Sequence, residues 1–118
     1  MKFYYNNKLL RTSKTHEYKY AIVTVSDACC SCHGTLEAAE KEYRRPISEC
    51  ETNIHDYMVA IEMLKMGRSY YDVKICKRWH RIPLKGKDIN YFESNIEYLR
   101  NRIETLKTRK IVELEARA

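Results

Sequence analysis

The densest chemistry in this chain lies in Lys74-Ile-Cys-Lys-Arg-Trp-His-Arg-Ile-Pro-Leu-Lys-Gly-Lys87. That stretch holds six bases, no acid and the only tryptophan, Trp79. Ammonium and guanidinium groups bind phosphate, and an indole face stacks on a nucleobase. Charge beside an aromatic platform is the footprint of a nucleotide or nucleic-acid binder. A solvated loop with Trp79 as a core anchor is the plainer reading. A second basic set follows: Arg100, Arg102, Lys107, Arg109 and Lys110. Arg102 and Arg109 stand seven apart, which on a helix places them on one face two turns from each other. Their forked donors suit bidentate phosphate recognition. Glu97 and Glu104 can also pair with some of these bases at helical spacing. Arg11-Thr-Ser-Lys14 places hydroxyls between two bases, so Ser13 and Lys14 could cradle a phosphate in a turn. The same residues also read as an ordinary connecting loop.

Metal or nucleophilic chemistry finds less support. The five cysteines are Cys29, Cys30, Cys32, Cys50 and Cys76. A strand alternates faces, so Cys30 and Cys32 are expected on one side, with Cys29 and His33 on the other. A structural zinc needs four convergent ligands, and the sequence has no pair of CxxC elements to supply them. Cys50 lies on an apolar helical seam, where a free cysteine behaves as a small hydrophobe. No catalytic pair, metal or cofactor is expected.

Net charge is +6 over 118 residues, but it is unevenly spread. Residues 1–20 carry +4, residues 21–73 carry −4, residues 74–110 carry +7 and residues 111–118 carry −1. Such a field favours a phosphate-bearing partner. Met1–Leu10 lacks the charged start and apolar block of a secretory signal. An odd number of cysteines without such a signal points to reduced thiols in a soluble intracellular protein. No apolar run approaches a membrane span.

The elements that must position these groups read as α+β in a single domain, residues 1–118. Residues 1–34 are mainly β. Lys2–Tyr5 and Lys8–Thr12 form a hairpin across Asn6-Asn7. Tyr18–Val25 is the main strand, with Tyr18, Tyr20, Ile22 and Thr24 on one face. Cys29–His33 is its return. Residues 35–66 are helical. Thr35 is a helix N-cap, Leu36–Arg45 a first helix ended by Pro46, and Gly67 the C-cap residue of the next. Ile47, Cys50, Ile54, Tyr57, Ile61 and Leu64 form that second helix's seam. Residues 67–87 read as a basic strand or loop. Asp88 caps a long amphipathic helix over residues 88–118, whose Ile89, Phe92, Ile96, Leu99, Ile103 and Leu106 step 3, 4, 3, 4, 3. At 1.5 Å per residue, about 28 helical residues reach about 42 Å, against about 35 Å for a compact chain of this length. A second copy of the chain is therefore expected to cover the overhang.

The tyrosine-rich opening KFYYNNKLLRTSKTHEYKYAIV, the junction CHGTLEAAEKEYRRPISE and the long helices after it resemble the phage-encoded anti-Thoeris sponge family. That family sequesters the cyclic ADP-ribose signals of a bacterial defence system. The resemblance implies a non-catalytic protein of the infected host's cytoplasm, dimeric or larger, that holds a nucleotide second messenger without cleaving it. Some members also bind cyclic oligonucleotides. Family contacts come from arginine, aromatic and amide side chains near the helices. Here Trp79, Asn95, Arg102 and Arg109 are the candidates by residue type and location, with Arg44, Arg45, Ser13 and Lys14 as candidates for a second site. The alternative is a small basic phage inhibitor that binds nucleic acid or a nuclease complex. Long nucleic acid is the lesser expectation, and no membrane partner is expected.

Overall fold

The computed structural model describes all residues from Met1 to Ala118. The chain is α+β with antiparallel sheets and two helices, arranged as two compact units. No helix is long and apolar enough to cross a membrane.

The first unit comprises Met1–Ile47 and Glu104–Ala118. Strands β1 (Lys2–Tyr5) and β2 (Lys8–Thr12) form the expected hairpin, with Asn6 and Asn7 at φ 49° and 63°. Short amide side chains tolerate that left-handed backbone, which is why Asn-Asn reads as a turn. Strand β3 (Tyr20–Val23) pairs with β4 (Cys29–His33). Ala21, Ile22 and Val23 are all fully buried, so β3 is covered on both faces. Ala21, Val23 and Cys32 form a small core, against which Tyr5, Leu10, Tyr18, Cys29, Val112 and Leu114 pack.

The chain's end departs from the expected long helix. Residues 110–117 form β7 (Lys110–Glu113) on β3 and β8 (Glu115–Arg117) on β1, each adding a third strand to a sheet. The preceding helix stops at Lys107. Its last turn tightens: Thr108 N–H donates to the Thr105 carbonyl at 3.1 Å and Arg109 N–H to Leu106 at 3.3 Å. The seam that served up to Leu106 would continue through Lys110 and Glu113, both charged. The apolar Ile111 and Val112 instead sit side by side, where a strand on β3 half-buries both. Without the extension, the overhang argument for a second copy no longer holds.

The helices also differ from expectation before that point. Helix α1 is continuous over Leu36–Lys65 with Pro46 inside it. Proline removes one backbone donor and costs about 3 kcal/mol in a helix interior. Burial of Ala39, Ile47, Cys50, Ala60 and Ile61 along the helix opposes a break. The ends follow the expected chemistry. The Thr35 hydroxyl accepts from Ala38 N–H at 3.1 Å. At the other end Gly67 has φ 72°, while Gly67 N–H reaches the Leu64 carbonyl and Arg68 N–H the Met63 carbonyl. That pair of bonds closes a helix through a left-handed residue, the role glycine fills at least cost.

The second unit is Ser48–Ile103. Strands β5 (Tyr70–Ile75) and β6 (Arg78–Pro83) form a hairpin, where the sequence suggested a single strand or loop. Its two-residue turn is Cys76-Lys77, at φ 51° and 67°. Helix α2 (Ile89–Lys107) starts where the Asp88 carboxylate accepts from Tyr91 N–H at 2.8 Å. Phe92 is fully buried in the core of this unit, with Ala60, Ile61, Tyr71, Val73, Leu84 and Ile96. The rings of Tyr57, Tyr71 and Tyr91 approach it at centroid distances of 5.7, 5.9 and 5.1 Å. Burial pushes the Tyr71 phenol above its ordinary pKa.

Candidate functional site

Arg109 follows the tightened end of α2, and its guanidinium is clasped within the first unit. Nε donates to the Leu106 carbonyl at 2.8 Å and Nη2 donates to the Tyr43 carbonyl at 2.7 Å. Its Cζ lies 4.7 Å from the centre of the Tyr43 ring. The Tyr43 hydroxyl in turn donates to the Lys107 carbonyl at 3.1 Å. Ring and guanidinium thus fix each other across the start of α1 and the start of the C-terminal strands. These contacts use two of the five guanidinium N–H donors. They set the positive charge against neutral oxygens and a ring face, and the Glu42 carboxylate that feels its field is ion-paired with Arg45. A half-buried fork held in this way retains donors and charge for an anion.

The neighbouring bases are differently placed. Arg117 lies 4.3 Å over the Tyr4 ring, and it is neutralised by Glu115 at 3.0 Å and bonded to Asn7 Oδ1 at 3.0 Å. Lys110 lies 5.5 Å over Tyr5 and pairs with Asp27 at 3.2 Å. Hydrogen bonds to Tyr5 and Asp27 hold its ammonium above the ordinary lysine range. Arg11 lies 5.2 Å over Tyr18, whose hydroxyl it contacts at 3.4 Å. The tyrosines of the opening strands therefore serve largely as seats for cations.

The second unit carries an open ledge on the β5–β6 hairpin. Register places Lys74 opposite Trp79 and Asp72 opposite Arg81. Strand alternation puts Tyr70, Asp72, Lys74, Trp79 and Arg81 on the face away from buried Tyr71 and Val73. Arg81 lies 4.0 Å over the Tyr70 ring and 3.6 Å from Asp72 Oδ1. Trp79 is 70% exposed, so the plainer reading of it as a core anchor is set aside.

The other residues singled out in the sequence do not gather at one point. Arg102 is exposed on α2 within the second unit, while Arg109 lies beyond the helix end in the first. They do not share a helical face. Asn95 donates its amide to the Tyr91 carbonyl of its own helix at 2.7 Å. Arg45 is tied to Glu42 by a 2.8 Å ion pair, which holds that carboxyl below its ordinary pKa. Arg44 is exposed beside it. The Ser13 hydroxyl accepts from His16 N–H at 2.9 Å and Thr15 N–H at 3.3 Å, closing its own turn, and Lys14 is exposed in that turn. No His, Cys, Asp or Glu cluster of metal-binding size is present.

Two clefts open on the second unit. One, about 420 Å³, is bounded by Leu64, Lys87, Asp88, Ile89 and Asn90. The other, about 570 Å³, lies among Met58, Ile61, Glu93, Ile96, Glu97 and Arg100. Two carboxylates against one guanidinium make the larger cleft a poor seat for a diphosphate within one chain.

Tyr43, Arg117 and the ledge partner Tyr70 escaped sequence reasoning as site residues. The alternation of apolar and charged residues in Ile111–Arg117 was the available signal for the first unit, since it argues strand rather than helix. No protein-family model matches the chain, and neither a curated protein nor a solved structure matches it.

Proposed function

We propose that this protein binds and sequesters a cyclic ADP-ribose-type second messenger without cleaving it, as a phage immune-evasion protein in the cytoplasm of an infected bacterium. The Arg109 clasp carries the reading. A cyclic ADP-ribose presents a pyrophosphate, and a fixed guanidinium with donors to spare suits two phosphate oxygens at once. Holding the fork in place beforehand lowers the entropy lost on binding. Adenine recognition then asks for an aromatic or amide neighbour. In this reading the protein is a homo-oligomer, at least a dimer, and a second copy closes the site. Exposed Met58 and Tyr98, at 50% and 65%, support apolar contact between copies.

One observation favours a second reading. The exposed Trp79 ledge, with Lys74 and Arg81 on the same face, suits stacking and phosphate contact along a single nucleic-acid strand. That makes binding of nucleic acid or of a nuclease complex the alternative.

Equilibrium dialysis against cyclic ADP-ribose isomers and a single-stranded oligonucleotide, over a range of salt, separates the two. The sponge reading expects tight messenger binding with a shallow salt slope, weakened at least about tenfold by Arg109→Lys, because lysine keeps the charge but not the fork. Steep salt-dependent binding of the oligonucleotide, with no messenger bound, would establish the alternative instead.

A further inference from the structure

Strand β4 holds a thiol pair that the nucleotide reading does not use. A regular strand would place Cys29 and Cys32 on opposite faces, about 10 Å apart along the chain. The β3–β4 register shifts between Ile22 and Val23: Ala21 faces Cys32, Ile22 faces Ser31 and Val23 faces Cys29. Cys30 is the extra residue of this bulge. A bulge reverses the alternation beyond it and bends the strand. Cys29 and Cys32 consequently share the face of Ala21 and Val23, and their sulfurs lie 3.6 Å apart. The sequence expectation that set Cys29 and Cys32 on opposite faces is thereby corrected.

We propose that Cys29 and Cys32 are a redox-sensitive modification site, closed to an intrachain disulfide by a small-molecule disulfide such as oxidised glutathione. The sulfurs must approach from 3.6 Å to a bond of about 2.05 Å. Rotation about the two Cα–Cβ bonds and a small flexing of the bulge provide that movement. Cys29 is half-buried and Cys32 is buried, so the oxidant meets Cys29 first. The Cys29 thiolate attacks one sulfur of the oxidant and expels a glutathione thiolate, leaving a mixed disulfide. Cys32 then loses its proton to solvent and attacks Cys29 Sγ, expelling the second glutathione thiolate. Two protein thiols are oxidised, one glutathione disulfide is reduced to two thiols, and the protons balance the thiolates released. In the reduced pair, burial and the neighbouring Cys29 push the Cys32 thiol up to about 11; the burial persists once Cys29 carries glutathione, so the second step is favoured by alkali.

The test treats the full-length chain with oxidised glutathione, quenches in acid, and maps the cysteine peptides by mass spectrometry. Because Cys30 and Cys76 are exposed, the deciding protein is Cys30→Ser/Cys76→Ser, which retains Cys29, Cys32 and Cys50. The proposal expects this variant to lose two of its three thiols. The peptide bearing Cys29 and Cys32 becomes two hydrogens lighter, carries no glutathione, and returns to its original mass with dithiothreitol. Adding Cys29→Ser, at a half-buried position, should abolish the mass loss while the variant still unfolds cooperatively. A pair that stays reduced, or that stops with glutathione on Cys29, would overturn the proposal. No ligand enters the experiment, so its outcome is independent of the messenger reading.

Discussion

The first unit stacks three arginines on tyrosines and the second unit one, and two of these pairs, Arg109 on Tyr43 and Arg81 on Tyr70, are built for different ends. Arg109 lies 4.7 Å over Tyr43, half-buried, with its bonds going to the carbonyls of Leu106 and Tyr43. Arg81 lies closer to its ring, 4.0 Å over Tyr70, but it stands on an exposed hairpin with Asp72 beside it. Ring distance therefore does not distinguish them; what surrounds the charge does. Water screens the Arg81 pair, and such surface pairs contribute roughly 0–1 kcal/mol. Carbonyls orient Arg109, and the carboxylate that feels its charge, Glu42, is already ion-paired with Arg45. One pair decorates a surface, and the other is a fixed cation.

The largest effect that would probe this contrast lies beneath the ledge. Phe92→Ala removes the ring on which Tyr57, Tyr71 and Tyr91 converge. It should destabilise the protein by about 3–5 kcal/mol in urea unfolding. A loss under about 1 kcal/mol would mean that the hairpin is not seated through this core. Next, Arg109→Ala should lower stability by about 1–3 kcal/mol, because the half-buried carbonyls it serves lose charge-assisted donors. Messenger capture should vanish in the same variant. Arg109→Lys separates the two roles: most of the stability should return, measured by thermal unfolding, but not the binding. Arg81→Ala and Trp79→Ala should each change stability by no more than about 0.5 kcal/mol. Their effect should appear only in oligonucleotide binding, if that binding exists. An Arg81→Ala loss as large as that of Arg109→Ala would erase the distinction.

The smallest effect concerns pH. With the folded Cys32 thiol near 11 against an ordinary 9.0, the unfolded chain ionises first as pH rises. Its contribution to stability is therefore full below pH 9 and is lost between about 9 and 11. Site-resolved alkylation should show Cys30 reacting ahead of Cys32, with the Cys32 rate still climbing above pH 9. Equal rates at neutral pH would show that the strand does not shield the thiol.

What the sequence revealed was mainly local. Asn6-Asn7, Thr35, Gly67 and Asp88 each act on backbone within a few residues of themselves, so the first hairpin, the helix starts and the end of α1 could be read directly. Pairing over long separations could not. The turn at Cys76-Lys77 has no residue that favours positive φ; it forms because Tyr71 and Val73 bury against Phe92 and draw the hairpin closed. Pro46 argued for a break that burial on both sides of it overrides. Lys110–Arg117 continued an apparent helix until its partners β3 and β1 were known. The bulge at Cys30 is likewise visible only in the register with β3.

The candidate site was legible by residue type and not by arrangement. Arg109 and Trp79 were both named from charge and aromaticity. Their separation into different units followed from where α2 ends. Ser13, Arg45 and Asn95 were read as ligand contacts, and each makes a local bond that helix and turn geometry supplies.

The most direct test of sequestration is capture and release. The purified protein is incubated with cyclic ADP-ribose isomers, separated from free ligand and heat-denatured, and the released fraction is analysed by mass spectrometry. The account predicts intact messenger from the native chain and at least about tenfold less from Arg109→Lys. A cleaved product, or no captured messenger with the ligand still whole in solution, would contradict it.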